Sequence, residues 1–261
     1  MRLKNKFAVI IGGAIGIGAA ITNAFAREGC DLLITHLGEK EKNEAAGIAE
    51  EVKKFGIKFY YEDLDVLKKD QITAFFKKLP DYTKKIDIAV NNAGVSSMRS
   101  FIDLTEEDWD FNMDVNAKGM FFCCQEEAKI MMKQNSGKII NTASLAAKIG
   151  VPYLAHYCAS KFAILGFSYS MTHELAKYNI TVNSVCPGIV LTDMIRREWK
   201  WEAKLRGISE EEFVNGVRKS IPLDRFATPE DIAKVFLFLA SEESDYISGQ
   251  AFNVNGGSES H

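Results

Sequence analysis

The sequence predicts a single doubly wound α/β domain, a parallel sheet of about seven strands with helices on both faces. Three observations point there. Short runs rich in β-branched and aromatic residues alternate with longer segments of helical periodicity along the 261 residues. The first of these runs ends in a glycine-rich turn, Gly12-Gly13-Ala14-Ile15-Gly16-Ile17-Gly18, which opens a helical pattern. No Pro- or Ser-rich linker divides the chain, so residues 1–261 read as one domain long enough to bury a sizeable core.

In chain order, Phe7–Ile11 is wholly apolar, as a parallel strand buried on both faces requires, and the helical pattern after the glycine turn runs through Glu28. Leu32–Thr35 and Ile57–Tyr61 give the second and third strands, with helices at Glu39–Phe55 and Asp70–Leu79. Ile86–Asn91 is the fourth strand and Glu106–Lys133 a long helix. Thr105-Glu-Glu-Asp marks its start, a capping hydroxyl followed by acids that suit the positive end of a helix. Lys138–Thr142, the helix Tyr157–Tyr178 and Thr181–Cys186 follow. Thr228-Pro-Glu-Asp then opens a helix over Pro229–Ala240, and Ala251–Val254 is the last strand. Between Met194 and Arg225, Ile195, Trp199, Trp201, Leu205, Phe213, Val214, Val217 and Ile221 lie among many charges. That segment reads as a helical lid over about 189–225, whose aromatics would suit a bulky apolar substrate, or as an amphipathic excursion packed on a neighbouring subunit. Its Arg196, Arg197, Lys200, Lys204 and Arg206 would either meet an acidic substrate tail or be solvated.

Composition narrows the function. With 32 basic and 35 acidic residues and a net charge of −3, the chain offers no broad cationic surface for nucleic acid or an anionic membrane. Five cysteines without C-x-x-C spacing suit reduced thiols in a cytoplasmic protein, and no pair among the four histidines has ligand spacing, so no metal site is expected. The basic start and apolar run to Ala26 imitate a secretion signal, yet cleavage there would remove the first strand. No segment reaches the ~18 uninterrupted apolar residues of a membrane span.

Two local patterns carry chemistry. Strand, glycine turn and helix together suit a pyrophosphate, because glycines admit it close to the backbone and the helix N-terminus offsets its charge. Tyr157 and Lys161 stand four apart on a predicted helix and so share a face, where an ammonium can favour ionisation of a phenol. At the end of the second strand, where an acid would bond the adenine ribose, Thr35-His36-Leu37 supplies none. Nothing obvious there repels a 2′-phosphate, so NADP(H) is favoured with NAD(H) as the alternative; Thr35, His36 and Lys40 are the candidate partners.

Taken together these motifs, spread from about Lys6 to Gly257, resemble the short-chain dehydrogenase/reductase family, of Rossmann-type fold. The glycine segment is similar to its T-G-x3-G-x-G, Asn91-Asn92-Ala93-Gly94 to its N-N-A-G, and Ser144 with Tyr157-x3-Lys161 to its catalytic set. The resemblance implies Asn116 as a fourth catalytic residue, holding a proton-relaying water. It also implies cofactor contacts at Gly12, Ile15, Gly16, Ile17, Gly18, Asp65, Val66, Asn91, Ala93, Gly94, Pro187, Gly188, Val190 and Thr192, with further contacts from Tyr157 and Lys161. It departs at Ile11, where the family has Thr and its hydroxyl ties the turn to N-N-A-G, and at Asn255, where D-G-G is usual.

The implied reaction interconverts a secondary alcohol and its ketone, with Tyr157 as acid/base, Ser144 polarising the carbonyl and Lys161 lowering the phenol pKa and holding the nicotinamide ribose. A steroid, bile acid or polyol is the expected substrate. The alternatives are reduction of 3-oxoacyl groups on a carrier protein and a non-catalytic dinucleotide-binding regulator. Hydrolysis by Ser144 is disfavoured, since Thr-Ala-Ser-Leu-Ala lacks the G-x-S-x-G elbow and His156 has no evident third member. The resemblance further implies a homo-oligomer, tetramer or dimer, paired through the helices at Glu106–Lys133 and Tyr157–Tyr178 and through the C-terminal segment.

Overall fold

A computed structural model describes residues 1–260. Among them, β1 (Phe7–Ile11), β2 (Asp31–His36), β3 (Phe59–Asp63), β4 (Ile88–Asn91), β5 (Gly137–Thr142), β6 (Ile180–Pro187) and β7 (Ala251–Val254) form one parallel sheet in the order β3-β2-β1-β4-β5-β6-β7. The α-helices are α1 (Gly16–Arg27), α2 (Gly38–Val52), α3 (Lys69–Lys77), α4 (Glu106–Asn112), α5 (Met120–Gln134), α6 (Ala155–Leu175), α7 (Asp193–Arg206), α8 (Glu210–Lys219) and α9 (Pro229–Ala240). The strand order reverses between β1 and β4, which opens a crevice at the carboxyl ends of the strands, the usual place for a ligand in such sheets.

Alternation along the strands sends side chains to two separate cores. Phe7, Val9 and Ile11 of β1 face Ile72 and Phe75 of α3, Cys123 of α5 and Ile164 of α6. Ala8 and Ile10 face the other way, toward Phe25 of α1, Ile48 of α2 and Phe236 of α9. Both sides of β1 are therefore covered, which is why its sequence is apolar throughout.

Element types match the sequence reading, and the differences have local causes. Pairing of β3 begins at Phe59 opposite Leu32 and runs on to Asp63 opposite His36, two residues later than its apolar run suggests. It is an edge strand with a solvated face, so Glu62 and Asp63 are tolerated in it. The long helix expected over 106–133 is interrupted by a π-helical stretch, Met113–Gly119, between α4 and α5. Both threonine caps form complete capping boxes. Thr228→Ala removes the acceptor for Asp231 N–H, and should cost about 1 kcal/mol, or about 2–4 °C in melting temperature, with Thr228→Ser retaining most of it. Calorimetry of the two variants checks this.

All five cysteines are free and buried. Among the described residues no helix is long and apolar enough to cross a membrane, and no group of His, Cys, Asp or Glu is arranged to hold a metal ion.

Candidate active site

The first turn of α6 brings Tyr157 to the carboxyl edge of the sheet, and the second turn brings Lys161 beneath it, with its Nζ 5.7 Å from the centre of the Tyr157 ring. Lys161 is buried and donates to the Thr142 carbonyl at 3.0 Å, which fixes the ammonium at the end of β5. Ser144 lies two residues beyond β5 in extended conformation, where its hydroxyl accepts Ala146 N–H and reaches the Tyr157 hydroxyl. A phenol, an ammonium and a hydroxyl thus converge at one strand end.

Electrostatics differ from the expectation of a phenol acidified by its neighbour. Burial pushes the Tyr157 pKa upward, the Glu198 carboxylate of α7 pushes it further, and only the Ser144 hydrogen bond pulls it down. Burial also lowers the Lys161 pKa to about 8, so near neutral pH the pair is a protonated phenol beside an ammonium. The ammonium is held by the Thr142 carbonyl, 5.7 Å from the ring centre.

Asn116 sits in the π-helical stretch and is fully buried. Its Oδ1 accepts Val95 N–H at 2.8 Å, and its Nδ2 donates to the Val95 carbonyl at 2.9 Å and to Ser160 Oγ at 3.0 Å. Ser160 in turn donates to the Tyr157 carbonyl. The amide therefore ties the loop after β4 to the turn that carries Tyr157. π-helical stretches often accompany functional residues, and here the irregular winding delivers the clamp.

The glycine turn is closely packed and leaves a helix start open. Gly12 has φ +75°, and a Cβ there would stand 2.8 Å from the Ala93 backbone; a Cβ on Gly18 would meet the Gly12 carbonyl at 1.9 Å. No side chain caps the N-terminus of α1 at Ile15, so its first amides are left for an anion at the sheet edge. Across the turn stands Thr192, whose methyl would be 3.5 Å from a Cβ on Gly16, and whose hydroxyl accepts Ile195 N–H as the cap of α7. Pro187 ends β6, Gly188 donates to the Val254 carbonyl, and Val190 bridges to Ala227, which brings this segment beside the turn. Gly94 lies by Lys161 and Asn116, since a Cβ on it would be 3.6 Å from Nζ and 3.1 Å from Oδ1. These residues fit a nicotinamide dinucleotide laid from the glycine turn to Tyr157.

Other expected contacts also bond or pack within the chain. The Thr35 hydroxyl is buried and accepts Gly12 N–H at 2.9 Å. Together with Asn92, which donates to the Gly12 carbonyl, it ties the turn where Ile11 lacks a hydroxyl. Asn91 turns away from the edge, donating to Glu127 and Asn141 inside the domain. Asp65 accepts Leu67 N–H, and Val66 packs against Gly119 of the π-helical stretch. His156 pairs with Ser97 through Nε2 at 2.8 Å, not with Ser144, and its Nδ1 has no hydrogen-bond partner, so no acid–base–nucleophile chain is assembled.

In the segment after Thr192, Trp199, Ala203 and Phe213 pack with Ile195, Leu191 and Phe226 into a small core of its own. Its principal aromatics are thus withdrawn from the cleft. Arg197 donates to the Ser96 carbonyl at 3.3 Å and carries Glu198 toward Tyr157. Sequence reasoning missed Glu198, which has no distinguishing signal in a helix crowded with charges.

Comparison with known proteins agrees with this geometry. A family model described as enoyl-(acyl carrier protein) reductase matches residues 12–259. The 3-oxoacyl-[acyl-carrier-protein] reductase FabG of Thermotoga maritima is 37% identical over 257 residues, covering 98% of this chain and 99% of the relative. That of Staphylococcus epidermidis is 34% identical over 253 residues, covering 97% and 98%. The crystal structure of levodione reductase superposes with a TM-score of 0.92 at 24% identity, covering 98% of each chain, a likeness of fold.

Proposed function

The chain belongs to the short-chain dehydrogenase/reductase family, and from that premise we propose that it is an NAD(P)(H)-dependent ketoreductase whose first substrate class to test is a 3-oxoacyl thioester. The relatives' names support that class over the steroid or bile acid that an aromatic lid would suit, and the withdrawal of Trp199 and Phe213 into their own core supports it too. The observation that carries the reading is the convergence of Tyr157, Lys161 and Ser144 beside Gly94 at the sheet edge.

The bound nicotinamide would supply or accept the hydride. Ser144 would hold the substrate carbonyl oxygen by hydrogen bond, opposite the Tyr157 hydroxyl. Tyr157, kept protonated by burial and by Glu198, would donate its proton as charge develops on that oxygen, which suits reduction at neutral pH. Lys161, charged below about pH 8, would stabilise the phenolate left behind. Helices α7 and α8 would cover the substrate, and Asn116 would keep the loop after β4 in register with α6.

Glu198 favours a second reading. A carboxylate close to the acid/base is better suited to a hydroxylated ketone, whose hydroxyl it could accept a bond from, than to an acyl chain. Following cofactor absorbance with acetoacetyl thioester and with a series of polyhydroxy ketones tests both. Faster turnover of the thioester supports the first reading, faster turnover of the polyols the second, and turnover of neither sinks the enzyme assignment.

A further inference from the structure

Resting on the dinucleotide reading of the cleft, we propose that Asp63 makes this chain selective for NAD(H) over NADP(H). The end of β2 lacks an acid, which taken alone leaves room for a 2′-phosphate. The parallel register, however, sets Asp63 of β3 directly beside His36 of β2. An acid from the neighbouring strand therefore stands where β2 itself has none.

Its carboxylate is anchored and still accessible. Asp63 Oδ1 accepts Gly38 N–H at 2.9 Å and lies 3.5 Å from His36 Nδ1, while the side chain remains 58% exposed. His36 beneath it is 5% exposed, and its Nδ1 is buried without a hydrogen bond of its own, so the imidazole backs the carboxylate rather than facing the cleft. The neighbouring amide is also engaged: Leu37 N–H donates to Glu41 Oε2 at 2.8 Å. The backbone donors at the start of α2, which would otherwise attract a phosphate, are thus held by the chain's own carboxylates.

The charge balance points the same way. The start of α2 carries Glu39 and Glu41 with Lys40 and Lys42, and Lys42 is paired with Glu39 at 3.2 Å. No arginine lies in the segment, and Ile15, at the start of α1, is 46% exposed and uncharged. A vicinal diol can donate to a carboxylate in this position. A 2′-phosphate would bring a dianion against two carboxylates and would have to displace them from amides 37 and 38, a repulsive element of the kind that sets specificity.

Equilibrium binding of NADH and of NADPH to the full chain, read by nicotinamide fluorescence or calorimetry, tests this without turnover. Wild type should bind NADH at least about tenfold tighter, as expected where like charge opposes one of two ligands. Asp63→Asn keeps an acceptor for Gly38 N–H and removes the charge, so it should narrow that ratio severalfold, chiefly by tightening NADPH. Glu41→Gln should act in the same direction and serves as a second variant should Asp63→Asn fold poorly. Tighter binding of NADPH by wild type, or a ratio unmoved in both variants, overturns the proposal. Binding of neither nucleotide overturns the dinucleotide reading, and the proposal with it.

Discussion

Tyr157→Phe should lower the rate constant for ketone reduction by about 10²–10⁴-fold, the usual contribution of a positioned general acid. The ring stays and only the hydroxyl goes, so packing around α6 and the Lys161–Thr142 hydrogen bond should persist. Nucleotide affinity measured by fluorescence should stay within a few-fold of wild type. That combination separates loss of the acid from loss of the site. A variant that retains more than a tenth of wild-type turnover would remove Tyr157 from the chemistry. The pH dependence adds a second reading of the same group: reduction needs the protonated phenol and benefits from the charged ammonium, so it should decline as pH rises through about 8, where Lys161 loses its proton.

The second large effect concerns stability. Glu127 of α5 is fully buried; its Oε2 accepts from Asn91 at 2.9 Å, and its Oε1 has no partner. Burial pushes its pKa from the ordinary 4.5 up to about 7, with the Asn91 hydrogen bond opposing. The folded protein therefore prefers the protonated acid. This contribution is fully present below about pH 4.5 and is lost as pH rises through about 7, amounting to about 3 kcal/mol across that window. Glu127→Gln removes the titration, so its stability relative to wild type should rise by up to that amount between pH 4.5 and pH 8. Urea unfolding of both proteins at several pH values checks it; a difference that does not change with pH would mean that Glu127 does not titrate in this range.

The parts of the protein legible in the sequence share a physical character. Strands such as β1 are apolar throughout because both faces are covered, and Tyr157, Lys161 and Ser144 are fixed by helical spacing and by a strand end. What escaped depends on neighbours distant along the chain. Asp63 stands beside His36 only because β2 and β3 pair in one register, and that register lies two residues from where the apolar run suggests. The Thr35 hydroxyl replaces the one absent at Ile11 only once the turn folds back on β2. Asn116 is implied as a water-holding amide, and the fold adds a task that its local sequence does not show, three hydrogen bonds that join Val95 to Ser160. Lys161 and Tyr157 lie on the predicted face, but the phenol pKa depends on how deeply the pair is buried, which spacing does not encode.

The packing of α7 and α8 has a mechanical consequence. Trp199 and Phe213 close on Phe226 and Leu191 at the base of the flap, so the two helices are joined to that base through a shared apolar cluster. At that base Leu191 N–H donates to the Ala227 carbonyl and Ala227 N–H to the Ile189 carbonyl, while the start of α7 is latched by the bond from Arg197 to the Ser96 carbonyl. A latch of that type contributes about 1.5–3 kcal/mol, small enough to open once per catalytic cycle. Loosening it would hasten exchange of reactants and forfeit that contribution to the hold on α7.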